Sequence, residues 1–276
     1  MTPTLNRTIA YFGLPSSFTH QAGLLHFGDR CEFCSYETIA DVFNAVEQGQ
    51  AAFGVVPIEN SNEGAVTHTL DMFIDSPASI NAEIYLDIHQ NLMSRYLPET
   101  ISRIYSHPIA FAQCRKWLAA NMKGVEQINV SSTTRAAELA AGEAGAAAVG
   151  SELAADMYGL SVIGKAIEDY PENKTRFLVI GLSKAERSER NKTSILFSIK
   201  DHAGALYDAL QPFKAGNINL TKIESRPSKK KAWEYYFFVD MEGHPEDEFI
   251  AGALTELGKH CVFVKVLGSY ANATER

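Results

Sequence analysis

Short apolar runs alternate with helix-spaced apolar positions from the start of the chain. Ile9-Ala10-Tyr11-Phe12 reads as a strand, 17–27 as a helix, 32–36 as a strand, 39–47 as a helix and 52–57 as a strand. This β-α-β-α-β rhythm predicts a mainly parallel sheet with helices on its faces. A long alternating segment, 81–93, interrupts it. A second set follows, with strands over 103–106, 127–130 and 146–149 and helices over 108–122, 133–141 and 152–158. Ser151 is the expected N-cap of the last helix, with Glu152 in its first turn, where the helix dipole favours an acid. An apolar strand resumes at Thr175. Two α/β lobes joined by extended crossings predict a clam with a ligand cleft between its halves.

The pattern changes after a charged stretch of small residues, 183–192, which reads as a linker. Strands are expected at 193–200, 218–224, 233–241 and 262–267, with helices at 205–213 and 247–257. That order, β-α-β-β-α-β, is the ferredoxin-like arrangement. The expected division is therefore 1–182, with a second lobe at about 84–165, then the linker 183–192, then a compact domain over 193–276.

Composition narrows the function. At 276 residues, 46% hydrophobic and 21% charged, the chain is an ordinary globular one of more than one core. Its 25 Lys plus Arg against 33 Asp plus Glu give a net charge of -8, which argues against nucleic-acid partners and anionic membranes. Any anionic ligand must then be held by local groups. The first seven residues carry no signal-peptide core, and no apolar run is long enough to span a bilayer, so a cytoplasmic protein is expected. Cys31 and Cys34 have the spacing of half a metal site, but no second pair completes it, so no metal is expected.

Four segments carry candidate chemistry. Thr175-Arg176-Phe177, preceded by Asn173-Lys174, places a hydroxyl, a fixed charge and an aromatic ring at the mouth of a strand, as a site for an anionic, ring-shaped metabolite would require. Pro57-Ile58-Glu59-Asn60-Ser61 ends a strand, and Asn60 and Ser61 are expected to cap the helix that follows. The turn Gly13 to Thr19, with Ser17, and Ser131-Ser132-Thr133-Thr134 repeat the arrangement. One such turn is usually structural. Three, together with Arg176, point to a ligand with more than one carboxylate. His107 before Pro108 reads as a helix cap.

Taken together, these residues resemble a monofunctional prephenate dehydratase of phenylalanine biosynthesis. The carriers are Pro57 to Ser61, Ser106-His107-Pro108 with Ala112-Gln113-Cys114, Ser132-Thr133, and Asn173 to Phe177. The last part resembles an ACT regulatory domain, in which Gly204-Ala205-Leu206 and Glu224-Ser225-Arg226-Pro227 match the two phenylalanine-binding motifs. The resemblance implies a two-lobe, periplasmic-binding-protein-like catalytic domain followed by the ferredoxin-like ACT domain. There are two departures. The family's first turn usually reads Gly-Pro-x-Gly-Thr, whereas Gly13-Leu14-Pro15-Ser16-Ser17 puts Ser16 at the second glycine. Asp201-His202-Ala203-Gly204 has Ala203 where proline is common.

The activity so implied is loss of carbon dioxide and water from prephenate to give phenylpyruvate, with no cofactor. Thr175 is expected at the leaving hydroxyl and Arg176 at the pyruvyl carboxylate, with Glu59, if buried and protonated, as a further proton source. Ser17, Asn60, Ser61, Ser132, Thr133 and Phe177 are expected to contact substrate. L-Phenylalanine is the expected allosteric effector, bound by the two ACT motifs across subunits of a homodimer or homotetramer. The alternatives are an arogenate dehydratase and, in another class, a non-catalytic cytosolic amino-acid sensor.

Overall fold

The computed structural model describes residues 7–200, 202–228 and 234–273. The expectations that touch Met1–Asn6, Asp201 and Trp233 lie outside the described residues. The chain begins β1 (Thr8–Phe12), α1 (Phe18–Phe27), β2 (Glu32–Tyr36), α2 (Ile39–Glu47), β3 (Phe53–Asn60), β4 (Gly64–Ala65), α3 (Thr67–Asp75) and β5 (Ser79–Asp87). Then come β6 (Asn91–Ser94), β7 (Arg103–Ser106), α4 (Pro108–Gln113), α5 (Arg115–Asn121), β8 (Glu126–Asn129), α6 (Thr133–Gly142), β9 (Ala146–Gly150), α7 (Glu152–Tyr158), β10 (Ser161–Gly164) and β11 (Lys174–Gly181). The rest is β12 (Asn191–Ile199), α8 (Ala205–Ala215), β13 (Leu220–Pro227), β14 (Tyr235–Glu242), α9 (Glu248–His260) and β15 (Cys261–Ala271).

Three sheets result. The first has the order β2-β1-β3-β11-β5, with β4 beside β3; the second is β10-β6-β9-β7-β8. The third, β13-β14-β12-β15, is antiparallel throughout and makes the C-terminal part the expected βαββαβ fold. By contacts the chain separates into two units, 1–38 with 59–64 and 85–177, and 39–58 with 65–84 and 178–276.

Several elements depart from the sequence expectations. The helix expected over 108–122 is two helices that meet at Cys114, whose thiol sits in the core with its pKa pushed up to about 12 by burial. The segment 81–93 is two strands, β5 and β6, and β10 was not foreseen. The strand expected to end at Pro57 continues to Asn60.

Lys192, the last residue of the charged stretch, is not solvated. It lies inside β12, and its Nζ reaches Glu83 Oε1 and Oε2 at 2.7 and 2.9 Å with both side chains buried. The carboxylate also accepts from Ala273 N at 3.0 Å.

The C-terminal sheet is buried on both faces. Ile195, Phe197, Val239 and Met241 pack with Ala209 and Phe213 of α8 and Ile250, Ala253 and Leu257 of α9. Residues offset by one along the strands point to the other face, where Leu196, Phe238 and Tyr270 are also buried. α3 and β5 of the same unit supply partners for this sheet. Lys265 Nζ, on the outer strand β15, donates to the carbonyls of Phe73 and Ser76 at 2.8 and 2.6 Å, capping the C-terminus of α3. Gly268 lies so close to β5 that a Cβ there would stand 2.3 Å from the Ile80 carbonyl oxygen.

Candidate functional site

The candidate site is built where β3 ends and β11 begins. Ser61 N donates to Lys174 O at 2.8 Å, and Ser61 Oγ both accepts from Lys174 N at 3.0 Å and donates to Glu172 O at 3.1 Å. These bonds clamp the turn after β3 to the segment leading into β11.

Asn60 uses the whole of its amide here. Its Oδ1 accepts from Asn62 N at 2.9 Å and Glu63 N at 3.0 Å, an Asx-type turn. Those two backbone donors decide which end of the amide is oxygen. Its Nδ2 therefore faces the other way and donates to Thr175 Oγ1 and Asn173 Oδ1, each at 2.8 Å. Asn60 and Ser61 do not cap the helix after β3, as the sequence had suggested. β3 and its turn run on, and α3 starts only at Thr67, with Val66 as a cap that makes no side-chain bond.

Thr175 is 9% exposed. Because its oxygen accepts from Asn60, its hydroxyl proton is what it can offer a ligand. Arg176 is 6% exposed and, as the next residue of a strand, points to the opposite face from Thr175. Phe177 returns to the Thr175 side of the strand but is 1% exposed and packed into the core. Glu59, the residue before Asn60, is only partly buried. The structure thus brings Thr175, Asn60, Ser61 and Asn173 together and directs Arg176 elsewhere.

A second cluster lies in the same unit. Ser17 caps α1 by accepting from His20 N at 3.3 Å, and Ser132 caps α6 by accepting from Arg135 N at 3.0 Å, with Thr133 opening that helix. Ser16 ties the two turns together. Its Oγ donates to Thr134 Oγ1 at 3.3 Å, and its carbonyl accepts from Ser151 Oγ at 2.9 Å. Ser16 is buried with φ of 69°, the left-handed region that favours glycine. This accounts for the glycine of the usual family pattern, and the Ser16 hydrogen bonds offset the cost of a side chain there. His20 Nδ1 accepts from Ser16 N at 3.1 Å, its ring stacks on Tyr11 with centroids 4.6 Å apart, and burial lowers its pKa below the ordinary 6.5.

His107 caps α4, as its place before Pro108 suggested, by accepting from Ile109 N at 3.3 Å. Asn173 and Thr134 stood in the sequence only as members of their motifs, with no role of their own, and the tie from Ser151 to Ser16 was not expected. For Asn173 a signal existed: it stands two residues before Thr175, on the same side of an extended segment. Among the described residues no cluster of His, Cys, Asp or Glu is placed to hold a metal ion. No helix among them is long and apolar enough to cross a membrane. A hollow of about 430 Å³ in the other unit, floored by Ile80 and Val266, contains none of these residues.

The C-terminal motifs sit on α8 and β13. Gly204, at φ of 84°, is the N-cap of α8, where Ala205 is buried and Leu206 exposed. Glu224, Ser225, Arg226 and Pro227 end β13, an outer strand of its sheet.

Comparison with known proteins decides the family. The prephenate dehydratase profile matches residues 9–185. The chain belongs to the prephenate dehydratase family. An ACT domain profile matches residues 193–259. A bifunctional chorismate mutase/prephenate dehydratase of Aquifex aeolicus is 49% identical over 266 residues, 96% of this chain and 74% of that protein. Among solved structures, a prephenate dehydratase from Arthrobacter aurescens in complex with L-Phe is 31% identical with a TM-score of 0.87, covering 98% of this chain and 91% of that one. GqqA, described as a novel type of quorum quenching acylase, is 28% identical with a TM-score of 0.89, covering 98% of this chain and all of that one.

Proposed function

We infer that this prephenate dehydratase family member is a lyase that converts prephenate to phenylpyruvate and is feedback-inhibited by L-phenylalanine. The observation that carries the reading is the family match over 9–185, which contains both clusters described above.

Prephenate must lose a ring carboxylate and a ring hydroxyl, and aromatisation drives the reaction. The protein has to orient the ring, hold charge and help the hydroxyl leave. Thr175 donates to the departing oxygen, and Asn60 keeps the Thr175 proton free for it. The capped N-termini of α1 and α6, with Ser17, Ser132 and Thr133, attract the pyruvyl carboxylate, which stays on the product, through their backbone N–H groups. The buried charge of Arg176 adds positive potential from within the sheet. No step needs a cofactor. Glu59, Ser61 and Phe177 act by shaping this site rather than by touching the reacting atoms.

Regulation is assigned to Gly204-Ala205-Leu206 and Glu224-Ser225-Arg226-Pro227, in a cytoplasmic homodimer or homotetramer. Supporting this are the ACT match, the relative described as an L-Phe complex, and the half-exposed outer strand β13 with Ile223 at its surface.

The test is to incubate purified protein with prephenate, and separately with arogenate, and to follow phenylpyruvate by ultraviolet absorbance and phenylalanine by chromatography. Prephenate turnover that phenylalanine inhibits is expected. Turnover of arogenate alone would move the assignment to the transaminated substrate. Acylase activity in the same preparation, without turnover of either acid, would overturn the reading.

A further inference from the structure

Asn173 is 1% exposed, its Oδ1 is taken by Asn60, and its Nδ2 meets no hydrogen-bond partner among the described residues. A buried amide donor left unpaired forfeits its hydration with nothing in return, so its presence in a folded protein calls for an explanation. Its orientation is dictated by neighbours. The backbone N–H groups of Asn62 and Glu63 fix Asn60 Oδ1, Asn60 Nδ2 then requires an acceptor from Asn173, and Asn173 is left presenting its N–H groups. The backbone is held too, with Ile88 N donating to Asn173 O at 2.7 Å. Asn173 Oδ1 and Thr175 Oγ1 lie equally far from one nitrogen, on the same side of the segment.

We propose that Asn173 Nδ2 and the Thr175 hydroxyl form a pair of neutral donors for the oxygen that leaves the substrate ring, both aimed by Asn60. This rests on the prephenate dehydratase reading. In the reaction the ring carbon–oxygen bond breaks with its electron pair going to oxygen, which departs as hydroxide and takes a solvent proton to become water. The bond from the ring to its carboxylate breaks with its pair entering the ring, which becomes aromatic, and carbon dioxide leaves. Charge grows on the departing oxygen and is lost from the departing carboxylate. Donors at the first strengthen toward the transition state, and donors at the second would hold the ground state back. The pair is therefore assigned to the leaving oxygen. Asn60, with its amide fully used inside the protein, is a positioning residue.

The test uses the full chain with Asn173→Ala and Asn173→Asp. Both lose the donor, but Asp keeps an acceptor for Asn60 and nearly the same volume. Both are expected to lose kcat by about 100-fold, the usual size for one oxyanion donor. For Asn173→Ala, KM should stay within about threefold, as for an interaction made mainly in the transition state. Asn173→Asp near parental kcat would mean that Asn173 only supports Asn60, and would overturn the pair. A rise in KM at unchanged kcat, or full activity in Asn173→Ala, would do the same. If Asn173→Ala melts below the assay temperature, Asn173→Asp decides alone. A parent that does not turn over prephenate sinks the functional reading itself, and the pair with it.

Discussion

Arg226 is bound to Asp71: its Nε and Nη2 lie 3.4 and 3.3 Å from Asp71 Oδ1, and Nη2 lies 3.3 Å from Oδ2. One partner belongs to the proposed effector motif on β13 and the other to α3, which is anchored to β3 where Thr69 Oγ1 donates to Pro57 O at 2.6 Å. Both ionic side chains are about one-fifth exposed, so the pair is neither a freely solvated surface bridge nor a wholly buried one.

Asp71→Asn should therefore weaken phenylalanine inhibition while leaving uninhibited turnover near the parent value. Coupling between sites is typically 1–3 kcal/mol, so the inhibitory concentration should rise at least about fivefold. Inhibition curves that superimpose on the parent's would show that this pair carries no signal.

Thr175→Ala removes the hydroxyl but leaves the strand. Turnover should fall by roughly 100-fold or more, with phenylalanine binding unchanged by calorimetry. Turnover within a fewfold of the parent would reduce Thr175 to a strand-end residue.

His20 makes the fold sensitive to acid. Its folded pKa lies below the ordinary 6.5, so the folded state prefers the neutral ring, and Nδ1 can accept from Ser16 N only without a proton. The contribution is fully present above about pH 6.5 and is lost as pH falls through the lowered folded value. Melting temperatures at pH 7.5 and 5.5 should differ more for the parent than for His20→Gln. An equal difference in both would show that His20 does not set the loss.

Lys192→Met leaves Glu83 buried without its cation and should cost about 3–5 kcal/mol in denaturant unfolding. Lys192→Met combined with Glu83→Leu should recover most of that. A double variant no more stable than Lys192→Met would mean that the pair is not the source of the loss.

Much of the fold was legible because it is written in local periods. Ile39–Glu47, Glu32–Tyr36 and Glu152–Tyr158 form as the apolar spacing and caps indicate. What escaped depends on partners far along the chain. Charge alone marked Lys192 as solvated, yet Glu83, 109 residues away, makes its burial possible. Asn60 looked like a helix cap until Asn173 and Thr175, 113 and 115 residues away, took up its amide. The Thr175 motif was visible as a string of residue types. That Thr175 and Arg176 face opposite sides became legible only once the strand was in place.

Gly268 bears on how any movement of the C-terminal sheet is felt. At Gly268 the backbone of β15 meets that of β5 at Ile80, so residue 268 has no side chain to yield there by changing rotamer. β5 in turn lies beside β11 in its sheet, hydrogen-bonded along it. A slide of β15 toward β5 at this point would press one backbone directly on the other. A bulkier residue at 268 would wedge the two strands apart even with no effector present.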